Sequence, residues 1–411
     1  MPTDAISPLL TLEGWELLSS LGPYKDADSL KLNESLRKAG HPPELVAAAL
    51  TQARLRAKAE AKFGEFARQM LFTPAGLEQA TRLSIAALHA QRFRTAGITS
   101  VADLGCGLGA DSLAMASLDI SVTAVEMDEV TAACTTVNLM PFPHATVVCA
   151  KAEDVDLSGI EGVWLDPARR TTSSSGTTRL FDPEAFSPPL SFVEALADKG
   201  LAVGVKMGPG IPHEAVPDTA EAQWISVNGD VVEAALYFNA LARPGIRRAA
   251  LVTGVQGMYE LTSSIAYDPA AQNVEPGPLS GYLYEPDGAV IRAGLVADLA
   301  RSMGAHLVDE HIAYLCSDEP VDTPFARRYK ILEVKPFNVK ALKAWVKANR
   351  IGVLDIKKRG ISTTPEELRR QLLTGSGKGP NKATLVLTRI GDERVAVVVE
   401  PHSPVQPHRA L

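Results

Sequence analysis

The sequence predicts an α/β protein, in which a mostly parallel sheet follows a helical module and precedes a small basic α+β domain. From Thr99 onwards, short apolar runs alternate with helical stretches, which is typical of parallel strands joined by helical crossovers. Residues 8–92 instead have helical periodicity and an Ala-rich stretch. At 411 residues the chain is long for one hydrophobic core, so we expect about two to four domains.

Four segments are predicted along the chain. Residues 1–92 form a helical module, with one long helix over 44–70 and a further helix over 75–97. Residues 93–242 form the sheet domain, and residues 243–323 form a mixed α/β connecting segment. Residues 324–403 form the basic domain, in the order strand, helix, strand, helix and hairpin.

The apolar runs of residues 93–242 number seven. The last two are separated only by Asn228-Gly229-Asp230, which predicts an antiparallel hairpin. A parallel sheet closed by a hairpin matches the Rossmann-like seven-stranded sheet of methyltransferases better than the all-parallel sheet of dehydrogenases.

Composition excludes several classes of protein. Apolar residues make up 46% and charged residues 22%, an ordinary globular balance. No run approaches the ~20 apolar residues that cross a bilayer, and the N-terminus lacks a signal-peptide pattern, so we expect a cytoplasmic protein with no membrane partner. The spacings of the four cysteines and eight histidines match neither a disulfide framework nor a metal site, so we predict no metal.

A glycine-rich stretch follows the first apolar run and precedes a helix. Gly105, Cys106, Gly107 and Gly109 lie where a backbone must approach a ligand closely at a helix N-terminus, which side chains would prevent. The same letters fit a dinucleotide-binding fingerprint, and such a turn can also be purely structural. The neighbouring residues therefore have to decide between these interpretations.

Acidic residues at the ends of the first and second runs favour S-adenosylmethionine. Asp103 is placed to hold the ammonium of a methionine moiety and would repel a pyrophosphate. Glu126, 23 residues later, is placed to accept hydrogen bonds from both ribose hydroxyls, and Met127 is placed to face the adenine. Glu153 is a candidate for the adenine amine, although an acid there also suits a helix N-terminus.

The fourth run ends in Asp166-Pro167, followed by Arg169. Ligands of open α/β sheets lie beyond the carboxyl ends of the strands, so Asp166 is expected to face both the methyl group and the acceptor atom, with Pro167 stiffening the turn. An Asp-Pro pair can also be a simple turn. Arg169, together with Arg170 and Arg179 in the Ser/Thr-rich loop, suits contacts to substrate phosphates, or the loop is merely solvated.

Lysine, glycine and cysteine residues bear on the walls of the site and on the type of methylation. Lys206 and residues 208–210 are candidate site walls at the end of the fifth run. No cysteine follows Asp166-Pro167 at the spacing for covalent attack on a pyrimidine, which disfavours C5-pyrimidine methylation, and Cys149 and Cys316 are expected to pack in the core.

The chain resembles a bacterial family of class I S-adenosylmethionine-dependent methyltransferases that carry a C-terminal THUMP-like domain. The resemblance rests on FTPAGLEQATR, with Gln79 and Thr81, and on DLGCGLGADS, AVEMD, WLDPARR, KMGPG, YLYEPDGAVIRAGL and, most specifically, PFNVKALKAWVKANRIGVLDIKKRG. Because conventional THUMP domains accompany RNA-modifying enzymes and help to bind structured RNA, it implies RNA, such as transfer RNA, as partner. Ala168 and Arg169 replace the second proline and the aromatic residue of the Asn/Asp-Pro-Pro-Tyr motif, which leaves the target atom open.

Positive charge supports the RNA hypothesis. Residues 324–394 carry 17 Lys and Arg against 6 Asp and Glu, a net charge of +11, whereas the rest of the chain carries 24 against 42. Candidate phosphate contacts are Lys340, Lys343, Lys347, Lys357, Lys358 and Arg359. The alternatives are a solvated helix face, a small-molecule methyltransferase, and a non-catalytic RNA-binding protein that holds the cofactor structurally.

Overall fold

The computed structural model describes residues 6–169, 182–255, 257–271, 274–374 and 379–402. The chain forms two compact units. The first comprises Met1–Met207, Glu214–Ala220 and Ala235–Arg243. The second comprises Gly208–His213, Glu221–Ala234 and Pro244–Leu411.

From residue 6 onwards, the N-terminal helical module has five α-helices: α1 (Leu12–Ser20), α2 (Ser29–Lys38), α3 (Pro43–Phe63), α4 (Pro74–Gln79) and α5 (Leu83–Thr95). The hydroxyls of Thr11 and Thr73 accept hydrogen bonds from the backbone at the starts of α1 and α4, as N-cap residues do. The N-terminal residues are therefore helical, as the sequence predicts.

Two helix boundaries differ from the sequence-based expectation. The helix expected over 44–70 ends as α3 at Phe63, because Gly64 adopts a φ of +57°. The helix expected over 75–97 is broken between α4 and α5. There, Lys62 Nζ donates hydrogen bonds of 2.7 to 2.8 Å to the carbonyls of Leu77, Glu78 and Ala80. The lysine thus satisfies carbonyls that continued helical bonding would otherwise use.

The central α/β region alternates strands and helices. Its elements are β1 (Ser100–Leu104), α6 (Ala110–Ala116), β2 (Ser121–Glu126), α7 (Glu129–Leu139), β3 (Ala145–Cys149), β4 (Gly162–Leu165), β5 (Ala168–Arg169), β6 (Phe186–Ser187), α8 (Leu190–Asp198), β7 (Ala202–Met207), β8 (Glu221–Val227), β9 (Asp230–Tyr237), β10 (Arg248–Gly254) and β11 (Gly257–Ser263). Strands β5 and β6 pair with each other in a separate small sheet.

The main sheet has the strand order β11-β10-β8-β9-β7-β4-β1-β2-β3. Strands β1, β2, β3, β4 and β7 are parallel to their neighbours within that group. The expected hairpin is present, because β8 and β9 are neighbours joined by Asn228 and Gly229, both at positive φ. The seven expected strands are thus confirmed, and β10 and β11 extend the sheet to nine.

The second unit contains a seven-stranded sheet with the order β13-β14-β12-β15-β18-β17-β16. Its elements are β12 (Tyr282–Pro286), α9 (Gly288–Arg292), α10 (Val296–Met303), β13 (His306–Asp309), β14 (Ile312–Ser317), β15 (Ala326–Pro336), α11 (Val339–Ala348), β16 (Ile351–Lys358), α12 (Pro365–Leu373), β17 (Asn381–Ile390) and β18 (Glu393–Pro401). From β15 onwards this is the expected order of strand, helix, strand, helix and hairpin.

Helix α11 is amphipathic. Leu342 and Val346 are fully buried in a core that includes Leu354 of β16 and Leu368 of α12. Among the helices of the described residues, none is both long enough and apolar enough to cross a membrane.

Candidate functional site

The turn between β1 and α6 passes through the left-handed region three times. Gly105, Gly107 and Gly109 have φ values of +86°, +53° and +81°, which strain any residue with a Cβ. A Cβ on Gly105 would lie 3.3 Å from the Asp166 carbonyl oxygen, and one on Gly109 would lie 2.9 Å from Thr135 Cγ2. A Cβ on Gly107 would have no heavy atom within 4 Å. Only at Gly107 does the turn therefore face open space.

Side chains of neighbouring elements hold the glycine turn. Glu126 Oε2 accepts a hydrogen bond from Gly107 N at 3.1 Å, while Oε1 accepts from Asp128 N at 2.9 Å. On α7, Thr135 Oγ1 donates to Gly107 O at 2.5 Å. Glu126 thus fixes the tip of β2 against the turn at the position where the sequence analysis expects a ribose.

Asn138 of α7 was not singled out from the sequence. Its Nδ2 donates to the Leu108 carbonyl at 3.0 Å, and its amide group exchanges two hydrogen bonds with the backbone of Leu71, at 2.7 and 3.1 Å. Asn138 therefore joins the glycine turn to the helical module. A Thr and an Asn three residues apart in the largely apolar helix after β2 are a sequence signal that could have identified these contacts.

Asp103, expected to hold an ammonium, has only 1% of its surface exposed. Its Oδ2 accepts a hydrogen bond of 2.5 Å from Ser112 Oγ. Burial and the nearby Asp111 carboxylate raise the pKa of Asp103 well above its ordinary value, because both disfavour the ionised form of its side chain. A bound cation would relieve this electrostatic penalty.

Cys106 is the non-glycine residue within the turn that the sequence analysis assigned to the cofactor site. Burial raises the pKa of its thiol well above the ordinary value, and its Sγ lies 3.7 Å from the Gly107 carbonyl. The thiol of Cys106 is therefore uncharged, and its contact with the cofactor stays a prediction.

Asp166 follows β4 and forms an ion pair with Lys206 of β7. The distance from Lys206 Nζ to Asp166 Oδ2 is 2.7 Å, and the same ammonium donates to Thr81 Oγ1 at 3.0 Å. The side chain of Asp166 remains 35% exposed. The structure thus brings Asp166 close to the glycine turn and adds Thr81, which the sequence analysis mentioned only as part of a motif.

A buried histidine and aspartate lie beside this group. His89 Nδ1 is 2.7 Å from Asp111 Oδ1, and the His89 ring stacks on Trp164 at a centroid distance of 4.1 Å. Burial raises the pKa of Asp111, but His89, Lys206 and a hydrogen bond from Thr81 outweigh it, so the pKa lies below its ordinary value. Asp111 is therefore the ionised member of the Asp103–Asp111 pair.

Residues at the tips of β2 and β3 are more exposed. Met127 is 65% exposed, and Glu153 is exposed in a short 3-10 helix, Ala152–Asp154. The expectation of core packing is confirmed for Cys316 but wrong for Cys149, which is exposed. Cys149 is the last residue of β3, an edge strand of the sheet, in which no residue is fully buried.

The loop after Asp166 is described only in part. Pro167 is half-buried, and Arg169 ends strand β5. Arg170 and Arg179, the predicted phosphate contacts, lie outside the described residues.

The basic residues of the second unit divide into groups. Lys340, Lys343 and Lys347 are exposed and, at spacings of three and four, share one face of α11. Lys358 is exposed on β16, on the same strand face as buried Leu354 and Ile356, and its Nζ donates to Ser362 O at 3.5 Å. Lys357 and Arg359 are on the opposite face, where Arg359 lies 5.4 Å from the centre of the Tyr314 ring. The six predicted contacts therefore do not form one surface.

The turn and its surrounding acids fit S-adenosylmethionine. Gly107 faces open space, Glu126 stands at the tip of β2, and the exposed thioether of Met127 follows it. A nucleoside with a cationic sulfonium group suits a group of carboxylates beside an exposed apolar side chain. When bound, this group supplies an electrophilic methyl. Among the described residues, no cluster of His, Cys, Asp and Glu is arranged to hold a metal ion.

The chain is similar to known proteins along most of its length. It is 31% identical to an uncharacterised S-adenosylmethionine-dependent methyltransferase of Mycobacterium tuberculosis, in strains CDC 1551 and H37Rv, over 82% of this chain and 91% of the relative. The crystal structure of a candidate methyltransferase from Porphyromonas gingivalis W83 covers 93% of this chain and all of its own, with a TM-score of 0.71 and 18% identity, which shows the fold.

Two domain families match by sequence. Residues 326–401 match the THUMP domain-like family, and residues 2–59 match a domain of unknown function, DUF8688.

Gly107→Ala and Gly109→Ala are expected to separate ligand contact from packing. A methyl group on Gly107 projects into the space assigned to the cofactor, so we expect the affinity for S-adenosylmethionine to fall at least about tenfold while the left-handed backbone lowers Tm by only about 2–4 °C. Gly109→Ala places a methyl 2.9 Å from Thr135 and is expected to lower Tm further. Isothermal titration calorimetry and thermal unfolding measure the two effects. Unchanged affinity in Gly107→Ala would contradict this placement of the cofactor.

Proposed function

Because the chain belongs to the family of S-adenosylmethionine-dependent methyltransferases, we propose that its methyl acceptor is a nucleotide in structured RNA, such as a transfer RNA. The observation that carries this proposal is the basic THUMP-like domain. Residues 324–394 have a net charge of +11 in a chain whose total is −7. A polyanionic substrate explains this segregation of charge, whereas a small substrate does not require it.

The exposed face of α11 is the proposed contact with the RNA backbone. Lys340 and Lys347 are seven positions apart, with Lys343 between them, which spans about 10 Å of helix, comparable to the distance across two or three phosphates. Asn338 caps the helix by accepting a hydrogen bond from Ala341 N, and the opposite face is buried. The lysines thus stand on a rigid support.

Binding of the cofactor is assigned to the strand tips of the first unit. Asp103 is proposed to neutralise the ammonium group, Glu126 to accept from the ribose hydroxyls, and Met127 and Glu153 to contact the adenine. Glu126 already accepts hydrogen bonds from Gly107 N and Asp128 N, so its carboxylate is oriented before a ligand binds. Such preorganisation reduces the entropy lost on binding.

Asp166 and Pro167 are proposed to orient the acceptor nitrogen. Asp166 follows β4, its carbonyl oxygen lies against Gly105, and its side chain is partly exposed, so a substrate can reach it beside the glycine turn. A carboxylate accepts the N–H of an amino or imino group and aligns the nitrogen with the methyl. Arg169, Arg170 and Arg179 are proposed to contact the adjoining phosphates.

Transfer of a tritiated methyl group to total RNA tests the proposal. RNA from cells that lack the gene is incubated with the protein and labelled S-adenosylmethionine, and mass spectrometry of the nucleosides identifies the product. We expect incorporation by the wild type and at least about a 100-fold lower rate for Asp166→Asn, with cofactor affinity within about threefold of wild type.

The controls distinguish the alternatives. Label that enters small metabolites from a cell extract but not RNA would support the small-molecule alternative and contradict the proposed substrate. RNA methylation that is undiminished in Asp166→Asn would leave the substrate class intact and refute the role of Asp166.

Replacing the three lysines of α11 with alanine is expected to weaken binding of total transfer RNA and reduce its dependence on salt. Loss of three phosphate contacts reduces the magnitude of the negative slope of log K against log salt by about 2–3. Fluorescence anisotropy between low and moderate salt measures both quantities. The triple variant of exposed Lys31, Lys38 and Lys58 in the helical module is the matched control. Equal slopes for the two triple variants would refute the assigned surface.

A further inference from the structure

We propose that Thr81 and Lys206 are positioning residues for methyl transfer, so that the turn between α4 and α5 is part of the methyl-transfer site. Lys206 fixes the carboxylate of Asp166, and Thr81 fixes Lys206. The inference rests on the proposed function, because it requires Asp166 to stand at the reacting centre.

Lys206 is held from two directions. Its ammonium donates to Asp166 Oδ2 at 2.7 Å and to Thr81 Oγ1 at 3.0 Å, and only 17% of its side chain is exposed. A lysine has a flexible four-carbon stem, so one ion pair leaves its position loosely defined. The second contact, to a buried hydroxyl, restricts the ammonium and thereby the carboxylate that it binds.

The Thr81 hydroxyl has a defined orientation. An ammonium group only donates hydrogen bonds, so Thr81 Oγ1 must accept from Lys206. The hydroxyl is then available to donate, and Thr81 is hydrogen-bonded to the side chain of Asp111. His89 lies 2.7 Å from the same aspartate and is itself stacked on Trp164. A continuous chain of polar contacts thus connects Asp166 with the hydrophobic core.

The break between α4 and α5 places Thr81 in this chain. The sequence predicts one uninterrupted helix there, but Lys62 satisfies the carbonyls of Leu77, Glu78 and Ala80, and Ala80 is extended with ψ 135°. Thr81 therefore lies in a turn and is 7% exposed. The break that Lys62 supports thus leaves the Thr81 hydroxyl beside the ammonium of Lys206.

The expected consequence is electrostatic as well as geometric. A cation 2.7 Å from a carboxylate favours its ionised form, which is the form that accepts an N–H from the substrate. Removing the cation makes protonation of Asp166 easier. The acid limb of the pH–rate profile is therefore expected to move to higher pH in Lys206→Met.

The test uses the full-length protein with Thr81→Val, Thr81→Ser and Lys206→Met. Thr81→Val keeps the shape of the side chain and removes the hydroxyl, whereas Thr81→Ser keeps the hydroxyl. Exposed Thr136 and Lys199, replaced with Val and Met, are matched controls. The readouts are kcat and KM for tritiated-methyl transfer to total RNA from cells that lack the gene, the pH profile, Kd for S-adenosylmethionine by calorimetry, and Tm.

We expect Thr81→Val to lower kcat about tenfold or more with Kd for the cofactor within about threefold, and Thr81→Ser to retain most activity. Lys206→Met is expected to lower kcat further and to shift the acid limb to higher pH. Wild-type kcat in Thr81→Val, or an unshifted pH profile in Lys206→Met, would overturn the inference. Parallel loss of Tm and cofactor binding in Thr81→Val and Thr81→Ser would also overturn it, because it would show a structural role.

Asp166→Asn separates this inference from the proposed function. If Asp166→Asn abolishes methyl transfer while Thr81→Val and Lys206→Met do not impair it, the positioning role fails and the proposed function stands. If Asp166→Asn is fully active, the proposed role of Asp166 fails and the positioning role fails with it.

Discussion

The first unit depends on the glycine turn between β1 and α6, where three residues with positive φ stand within five positions. Only glycine adopts such a backbone without steric strain. Hydrogen bonds with the side chains of Glu126, Thr135 and Asn138 hold the turn in place. Asn138 also binds the backbone of Leu71, so the helical module supports the turn directly. The helical module therefore supports the proposed cofactor site.

The site also has to accommodate several neighbouring carboxylates, of which Asp103 and Asp111 are buried. Asp111 is balanced by His89, and Asp166 is balanced by Lys206. Asp103 accepts a hydrogen bond from Ser112, but within the described part of the chain no cation forms an ion pair with it, and its pKa is raised. A cationic ligand is the natural complement of this arrangement, since it supplies the positive charge that the polypeptide does not place beside Asp103.

Much of the fold could be predicted from the sequence, because strand and helix periodicity are local properties. The glycine turn, the acids at the strand ends and the β8–β9 hairpin all follow from short patterns. The break after α4 could not be predicted, since it depends on Lys62, which is 15 to 18 residues distant from the carbonyls it binds. The position of β3 at the edge of the sheet, where Cys149 is exposed, likewise depends on the strand order, and the Thr81–Lys206–Asp166 contacts join residues far apart in the chain.

The central claim is that the tips of β1 and β2 bind the sulfonium cofactor through carboxylates, Asp103 among them. Calorimetric titration of S-adenosylmethionine in two buffers with different heats of ionisation tests it most directly. Because Asp103 has a raised pKa in the free protein and a bound ammonium favours its ionised form, binding should release protons, and affinity should increase as pH rises through about 6 to 9. Asp103→Asn should abolish this linkage. Absence of heat with the cofactor, or identical proton release in wild type and Asp103→Asn, would contradict the account.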